Sequence, residues 1–386
     1  AGAAGAAGAA PGADADLDDE LWLVFHNEGF SLTHHMFRVH PGSLVVEMSA
    51  FWWLIKSQQP VGSQVIKNVA YQVLHAVAVV HDLNITHRDI KAANVFVTDT
   101  WPPVVRLGDW GSALMAPPTR EVRELYAAEG PTEEDETSGY QPPEATFDGE
   151  LLARLGVAPS APWRDRAYDL WSFGVLLLEL ILGTREVFRV DERRWLRTEH
   201  ALRRMRVRPE ALHQARHLQA MLDLCLAPPG IPRGTPLSWF FRPGPGEEAG
   251  EGPAAVPAAV SGQPWCTDEE FEEVLKQRDA AGVGLPSREG RALLRRLLAW
   301  APRDRIPARE ALAHAWFDDG ASLPPLRSLR LVGSGAARPL GHGVVAAEEE
   351  EWHFPSADGG DDVVGDEASD EAEDVAAHCL EGASGG

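Results

Sequence analysis

This sequence of 386 residues predicts an α+β fold made mostly of helices, and three stretches carry that expectation. Tyr168 to Leu182 is apolar nearly all round and stops at Gly183. A helix without a polar face must be covered on every side, so this is the central helix of a domain, ended by a glycine. Val65, Ile66, Val69, Ala70, Val73, Leu74 and Val77 recur at helical spacing after Ser63, a fair N-cap. They predict a second, one-sided helix ending near Asn84. Between the two lie short β-like runs, Asn94 to Val97 and Val104 to Leu107, separated by a Pro-containing turn.

The remaining elements follow along the chain. Residues 1–20 are low-complexity, end in acidic residues, and read as disordered. Leu21 to Phe25 (LWLVF) reads as a buried strand broken by His26 to Gly29. Trp52 and Trp53 read as packing residues. Gly111 to Gln141 is polar and reads as a long mobile loop. Ala201 to Leu226 places Arg, Leu and His at helical spacing. Ala227 to Gln263 is rich in Pro, Gly and Ala and reads as an inserted flexible loop. Two further helices are expected around Arg288 to Trp300 and Pro307 to Trp316. Past Phe317 the chain turns Gly-rich and then acidic, as a solvated tail would. The expected division is therefore 1–20, a folded domain over 21–318, and a disordered acidic tail over 319–386.

Composition narrows the functions. A net charge of -23 repels phosphate backbones and argues against nucleic acid as a partner. Cys225, Cys266 and Cys379 lie far apart in sequence, which predicts neither a disulfide framework nor a zinc site and suits a reducing, intracellular setting. The most apolar run, Phe173 to Leu182, includes Glu179 and falls short of the roughly 20 residues a membrane helix needs. His34, His35, His75 and His81 read as surface or core-edge histidines, with no carboxylate or Cys to complete a metal site.

The stretch with chemical content is His87-Arg88-Asp89-Ile90-Lys91-Ala92-Ala93-Asn94, which follows a predicted helix and precedes a short strand. It resembles the H-R-D-x-K-x-x-N catalytic loop of protein kinases. The resemblance implies that Asp89 accepts the proton of an incoming hydroxyl, Lys91 neutralises charge on the γ-phosphoryl group, and Asn94 holds Mg²⁺. One loop presenting base, cation and metal ligand suits a reaction that depends on positioning and charge neutralisation. Asp109-Trp110-Gly111 stands where these enzymes carry D-F-G, so Asp109 is the expected second Mg²⁺ ligand. Trp110 replaces Phe; its bulk, and an indole N–H that wants a partner when buried, should bias the loop toward its active arrangement.

Thr137 to Glu144 is similar to the T-x-x-Y-x-A-P-E end of an activation segment, with Pro142 in place of Ala. The family pattern pairs Glu144 with Arg305 and uses Asp169 to brace the backbone of the catalytic loop. Five motifs in order identify the region from Leu21 to about Phe317 with the eukaryotic protein kinase superfamily. Lys91 favours the Ser/Thr type. The flanking stretches and the long insert resemble a divergent plant and algal group, some of whose members are regarded as inactive and some fused to a PP2C-type phosphatase part. The cofactors implied are ATP and Mg²⁺, and the partner implied is a protein substrate.

The pattern departs from the family at its start. Gly2, Gly5 and Gly8 recur among alanines without strand partners and make no phosphate cradle, so the Gly-rich loop and the V-A-I-K lysine have no counterpart upstream of Leu21. The resemblance makes Leu21 to Phe25 the last small-lobe strand, with Phe25 as gatekeeper, and His26, Asn27 and Glu28 the hinge that meets adenine. The expected architecture is thus mainly the helical large lobe with a remnant of the small one. Two other classes compete: a pseudokinase scaffold presenting the insert and acidic tail to partners, and a small-molecule kinase, which the peptide shelf at Thr137 to Glu144 argues against. The acids Glu133 to Glu136 are placed to substitute for an activating phosphate opposite Arg88.

Overall fold

The computed structural model describes residues 28–40, 45–98, 100, 102–116, 120, 137–155, 157, 165–241 and 265–318. All of them belong to one compact unit, 1–333; the second unit, 334–386, lies outside them. The predicted strand Leu21 to Phe25, with Phe25 and His26, also lies outside, as do the acids Glu133 to Glu136 and the tail.

The described chain opens with β1 (Phe30–Ser31) and α1 (Leu32–Met36), where the Ser31 side chain accepts the His34 N–H as an N-cap. A hairpin follows, β2 (Phe37–Val39) antiparallel to β3 (Val46–Met48), with Phe37 opposite Met48. Next come α2 (Ala50–Ser57) and α3 (Val61–Asp82). The predicted one-sided helix is therefore present, but it starts two residues before Ser63. Pro60 occupies the cap position, and the Ser63 hydroxyl donates to the Gln59 side chain. Proline suits such an entry because it has no N–H to leave unsatisfied.

The two predicted β-like runs pair with each other: β5 (Val95–Val97) lies antiparallel to β6 (Val105–Leu107), with Val95 opposite Leu107. β1 adds to the other side of β5, giving the order β1-β5-β6. A second ladder joins β4 (Ile85–Thr86) to β7 (Leu114–Met115). The stretch expected as loop from Gly111 therefore contains a strand, because Leu114 and Met115 find an edge at Ile85 and Thr86.

Two short helices, α4 (Pro143–Thr146) and α5 (Gly149–Arg154), lead to α6 (Ala167–Leu182). Every residue of α6 is buried, and Gly183 ends it at φ 62, a conformation glycine adopts without steric cost. α6 packs against the apolar face of α3 and against α11 (Arg288–Leu297). Gly174 lets that contact close: a Cβ there would lie 2.8 Å from Leu298 Cδ2. Burial of each large apolar side chain in this core contributes roughly 1.5–3 kcal/mol.

Between α6 and α11 the structure departs from expectation in several places. The helical stretch expected from Ala201 is two helices, α7 (Glu192–Arg204) and α8 (Pro209–Asp223), because Arg206 turns left-handed at φ 59 and Pro209 starts a new helix. The first part of the expected flexible insert, residues 227–241, is folded. Ile231, Leu237 and Phe240 enter the core there, the last two from α9 (Leu237–Phe240). Three apolar anchors outweigh a Pro- and Gly-rich composition. The remainder, 242–263, is not among the described residues.

The cysteine expectation is overturned. Cys225 and Cys266, 41 residues apart, form a disulfide with Cα atoms 5.6 Å apart, joining the two ends of the insert. Distance along the chain concealed an approach that folding creates. The reading of Trp53 also changes. Trp52 is buried and donates its indole N–H to the Leu180 carbonyl, whereas Trp53 is largely exposed. Several helices had no counterpart in the sequence reading, among them α2 (Ala50–Ser57), capped by Ser49, and α10 (Asp268–Arg278), whose capping box of Thr267 and Glu270 was its legible signal. α12 (Ala308–Leu312) completes the fold against α3. No described helix is long and apolar enough to cross a membrane.

Candidate active site

Asp169, in the first turn of α6, organises the loop from His87 to Asn94. Its Oδ2 accepts the His87 N–H and its Oδ1 the Arg88 N–H, both at 2.8 Å. Arg88 sits at φ 70, a strained conformation for a bulky side chain. Two hydrogen bonds to one buried carboxylate over-determine the turn and hold that strain. The His81 Nε2 lies 2.8 Å from Asp169 Oδ2, so this histidine is a buried partner of the loop's anchor and not a core-edge residue. The His87 ring reaches the Gly108 carbonyl at 3.0 Å, tying the loop to the Asp109 turn.

Asp89 is met from three sides. Thr137 Oγ1 donates to its Oδ1 at 2.7 Å, Lys91 Nζ pairs with its Oδ2 at 2.9 Å, and Asn94 Nδ2 donates to its Oδ2 at 2.8 Å. Lys91 also donates to Thr137 at 2.9 Å. Burial works against the Asp89 charge, yet the hydrogen bonds from Thr137 and Lys91, the Lys91 charge and Asn94 together hold its carboxyl below the ordinary carboxylate range. It is an anion at neutral pH, fixed in orientation by a loop on one side and the activation segment on the other.

Asn94 ends the short 3₁₀ turn Ala92–Asn94, and its carbonyl accepts the Gly108 N–H at 2.9 Å. That bond continues the β5–β6 ladder and sets Asn94 beside the Asp109 turn. Asp109 is exposed at φ 59, and its Oδ1 caps the Gly111 N–H at 3.4 Å. With Asn94 Nδ2 committed to Asp89, the amide offers its oxygen. An amide oxygen and a carboxylate form a donor set that suits Mg²⁺, which takes one or two protein oxygens and completes its shell with water and phosphate. No cluster of three or more His, Cys, Asp or Glu side chains placed to hold a metal occurs among the described residues.

Trp110 is partly exposed and rests on the His87 ring, with centroids 4.5 Å apart. The sequence-based picture of a buried indole needing a partner does not describe it. Glu28, expected in the hinge, forms an ion pair with Arg106 of β6 at 3.0 Å. Arg88 Nη1 donates to the Ser112 carbonyl.

The activation segment is pinned to the core at two places. Arg305 forms a bidentate pair with Glu144, at 2.6 and 2.5 Å, and donates further to the carbonyls of Ala167, Ala299 and Trp300. Both side chains are fully buried. Tyr140 donates its hydroxyl to Glu179 in the middle of α6, and Ser172 donates to the Tyr140 carbonyl at 2.9 Å. Burial pushes the Glu179 carboxyl up to about 7 and, with the Glu179 charge, raises the Tyr140 phenol. Sequence reading missed Glu179 because it stands alone in an apolar helix, with no patterned partner nearby.

Residues 39–317 match the protein kinase domain. The chain belongs to the protein kinase family. Among its relatives, a probable inactive protein kinase of Arabidopsis thaliana is 28% identical over 330 residues, covering 78% of this chain and 80% of that protein. The serine/threonine-protein kinase ssn3 of Neosartorya fischeri is 28% identical over 258 residues, covering 66% of this chain. The serine/threonine-protein kinase SSN3 of Aspergillus oryzae is 24% identical over 275 residues. The chain spans 52% and 55% of the length of these two fungal kinases. The kinase match begins at residue 39, beyond the stretch expected to supply the hinge.

Proposed function

We propose that this kinase-family chain transfers the ATP γ-phosphate to a serine or threonine hydroxyl of a protein. The observation that supports the reading best is the Asp89–Lys91–Thr137–Asn94 network. It joins a depressed carboxylate, a cation and an amide to the first residue of the peptide shelf. Asp89 orients the acceptor hydroxyl and takes its proton as the P–O bond forms. A weakly basic carboxylate suffices, since a loose transition state releases that proton late. Lys91, 24% exposed in its side chain, meets the γ-phosphoryl oxygens, and Thr137 ties acceptor binding to the position of both. Asn94 and Asp109 would hold Mg²⁺, which supplies charge neutralisation across the phosphates when bound. Glu28 would remain the described part of the adenine edge, with Phe25 and His26 completing it.

A second reading, a scaffold without phosphotransfer, is favoured by the Arabidopsis relative, which is named a probable inactive kinase. The two separate in one assay on the full chain, with Mg-ATP labelled at the γ-phosphate and casein as acceptor. Asp89→Asn should lower transfer by roughly 10²–10⁴-fold and leave nucleotide affinity nearly unchanged. Equal transfer by variant and wild type would remove Asp89 from the chemistry. Absence of both transfer and nucleotide binding in the wild type would replace the enzyme reading with the scaffold.

A further inference from the structure

The chain carries 58 acidic and 35 basic residues, yet one helix surface is the reverse. In α7, Trp195 and Leu202 are buried. Arg193, Arg197, His200 and Arg204 recur at i, i+4, i+7 and i+11, so they form a single stripe on the opposite side, and all four are exposed. The carboxylates nearby are already used by other arginines. Glu192 pairs with Arg216, Glu199 with Arg203 at 2.6 Å, and Asp223 with Arg194 at 2.7 Å. Asp191 spends its Oδ1 on the helix N-terminus, accepting the Arg194 N–H. Arg193, Arg197 and Arg204 form no ion pair among the described residues, and the exposed Arg206 and Arg208 extend the stripe past the helix end. Leu196, 62% exposed, stands alongside.

We infer that this face of α7 is a docking surface for an acidic segment of a protein partner, one carrying several Asp or Glu residues and an apolar side chain to cover Leu196. Guanidinium groups recognise carboxylates bidentately, and three in one row fix the direction of a bound segment. The stripe from Arg193 to Arg204 is short, about 16 Å at the helical rise. An acidic peptide ends where the stripe ends. A nucleic acid would run on past it into a molecule whose net charge is -23, where repulsion opposes it. The exposed leucine also favours a peptide, because a phosphate backbone has nothing apolar to offer it. The surface lies on a different element from the catalytic residues, so its role does not depend on phosphotransfer.

The test uses fluorescence anisotropy with the full chain and a labelled synthetic 12-residue peptide containing six Glu and two Leu. The wild type should bind it, more weakly as salt rises from 50 to 300 mM. Replacing Arg193, Arg197 and Arg204 together by Gln should weaken binding at least tenfold. Arg203→Gln, which removes an arginine already paired, should change it less than twofold. Far-UV circular dichroism and the denaturation midpoint of the triple variant should match the wild type, since all three side chains are exposed. Affinity unchanged in the triple variant overturns the proposal. So does the absence of wild-type binding, or tighter binding of a 12-nucleotide single-stranded RNA than of the peptide.

Discussion

Two buried ion pairs join distant parts of this chain, and they are built differently. Glu144–Arg305 fastens the activation segment to the end of the helical lobe across 161 residues. Lys56–Asp279, at 2.9 Å, fastens α2 to the turn after α10, with 1% and 0% of the two side chains exposed. In the first pair the guanidinium is satisfied by two carboxylate oxygens and three carbonyls, and both Glu144 oxygens accept from that one residue. In the second the carboxylate is the hub. Asp279 accepts N–H groups from Ala281, Val283 and Gly284 at 2.9, 3.0 and 2.8 Å, while Lys56 donates to the Ile181 carbonyl. Desolvation lowers the Lys56 pKa even with Asp279 beside it. The comparison teaches that a buried pair is only as costly to break as the partner left behind is isolated.

The most damaging change should therefore be Arg305→Ala, which strands the Glu144 carboxylate in the core. A loss of about 3–5 kcal/mol in urea denaturation is expected, and Arg305→Lys should recover only part of it because one ammonium cannot replace the fork. An unchanged midpoint would mean the pair does not hold the segment.

Glu179 sharpens the comparison, being a buried carboxylate with no cation in its hydrogen-bond set. Burial raises its folded pKa from the ordinary 4.5 to about 7. The folded state then binds more protons than the unfolded one between these values, so stability is fully present below pH 4.5 and is lost as pH rises toward 7. The loss is on the order of 3 kcal/mol. Glu179→Gln should abolish that slope and stabilise the chain at pH 8. A pH profile identical to wild type would show that Glu179 does not titrate in this window.

Lys56→Met should follow, at about 1–2 kcal/mol, since Asp279 keeps three backbone donors. If it proves as damaging as Arg305→Ala, the backbone donors do not compensate and the contrast between the two pairs fails. The smallest effect belongs to Arg309→Gln. Arg309 and Asp82 are paired at the surface, where solvent screens the charges, and no shift in the denaturation midpoint is expected.

Much of the kinase pattern was legible because the relevant residues are close in sequence. His87 to Asn94 is one loop, Asp109 follows one strand, and Thr137 to Glu144 is one segment. The apolar run of α6 announced its own burial, and Gly183 its end. The Arg305 partner of Glu144 was readable only through the family pattern, since nothing local links residues 161 apart.

What the sequence by itself determined is therefore local: the period of α3 and α6, the paired short strands, and the residue types that a phosphotransfer loop needs. Tertiary structure alone decided the rest. It placed His81 on Asp169, Glu179 under Tyr140, Lys56 on Asp279, and Cys225 against Cys266. It also drew Ile231, Leu237 and Phe240 out of a Pro-rich stretch into the core. The physical reason is common to all of these. Each contact forms between segments whose separation along the chain carries no spacing rule, and the polar ones become favourable only when packing of the apolar helices has removed the water that would otherwise satisfy the same groups.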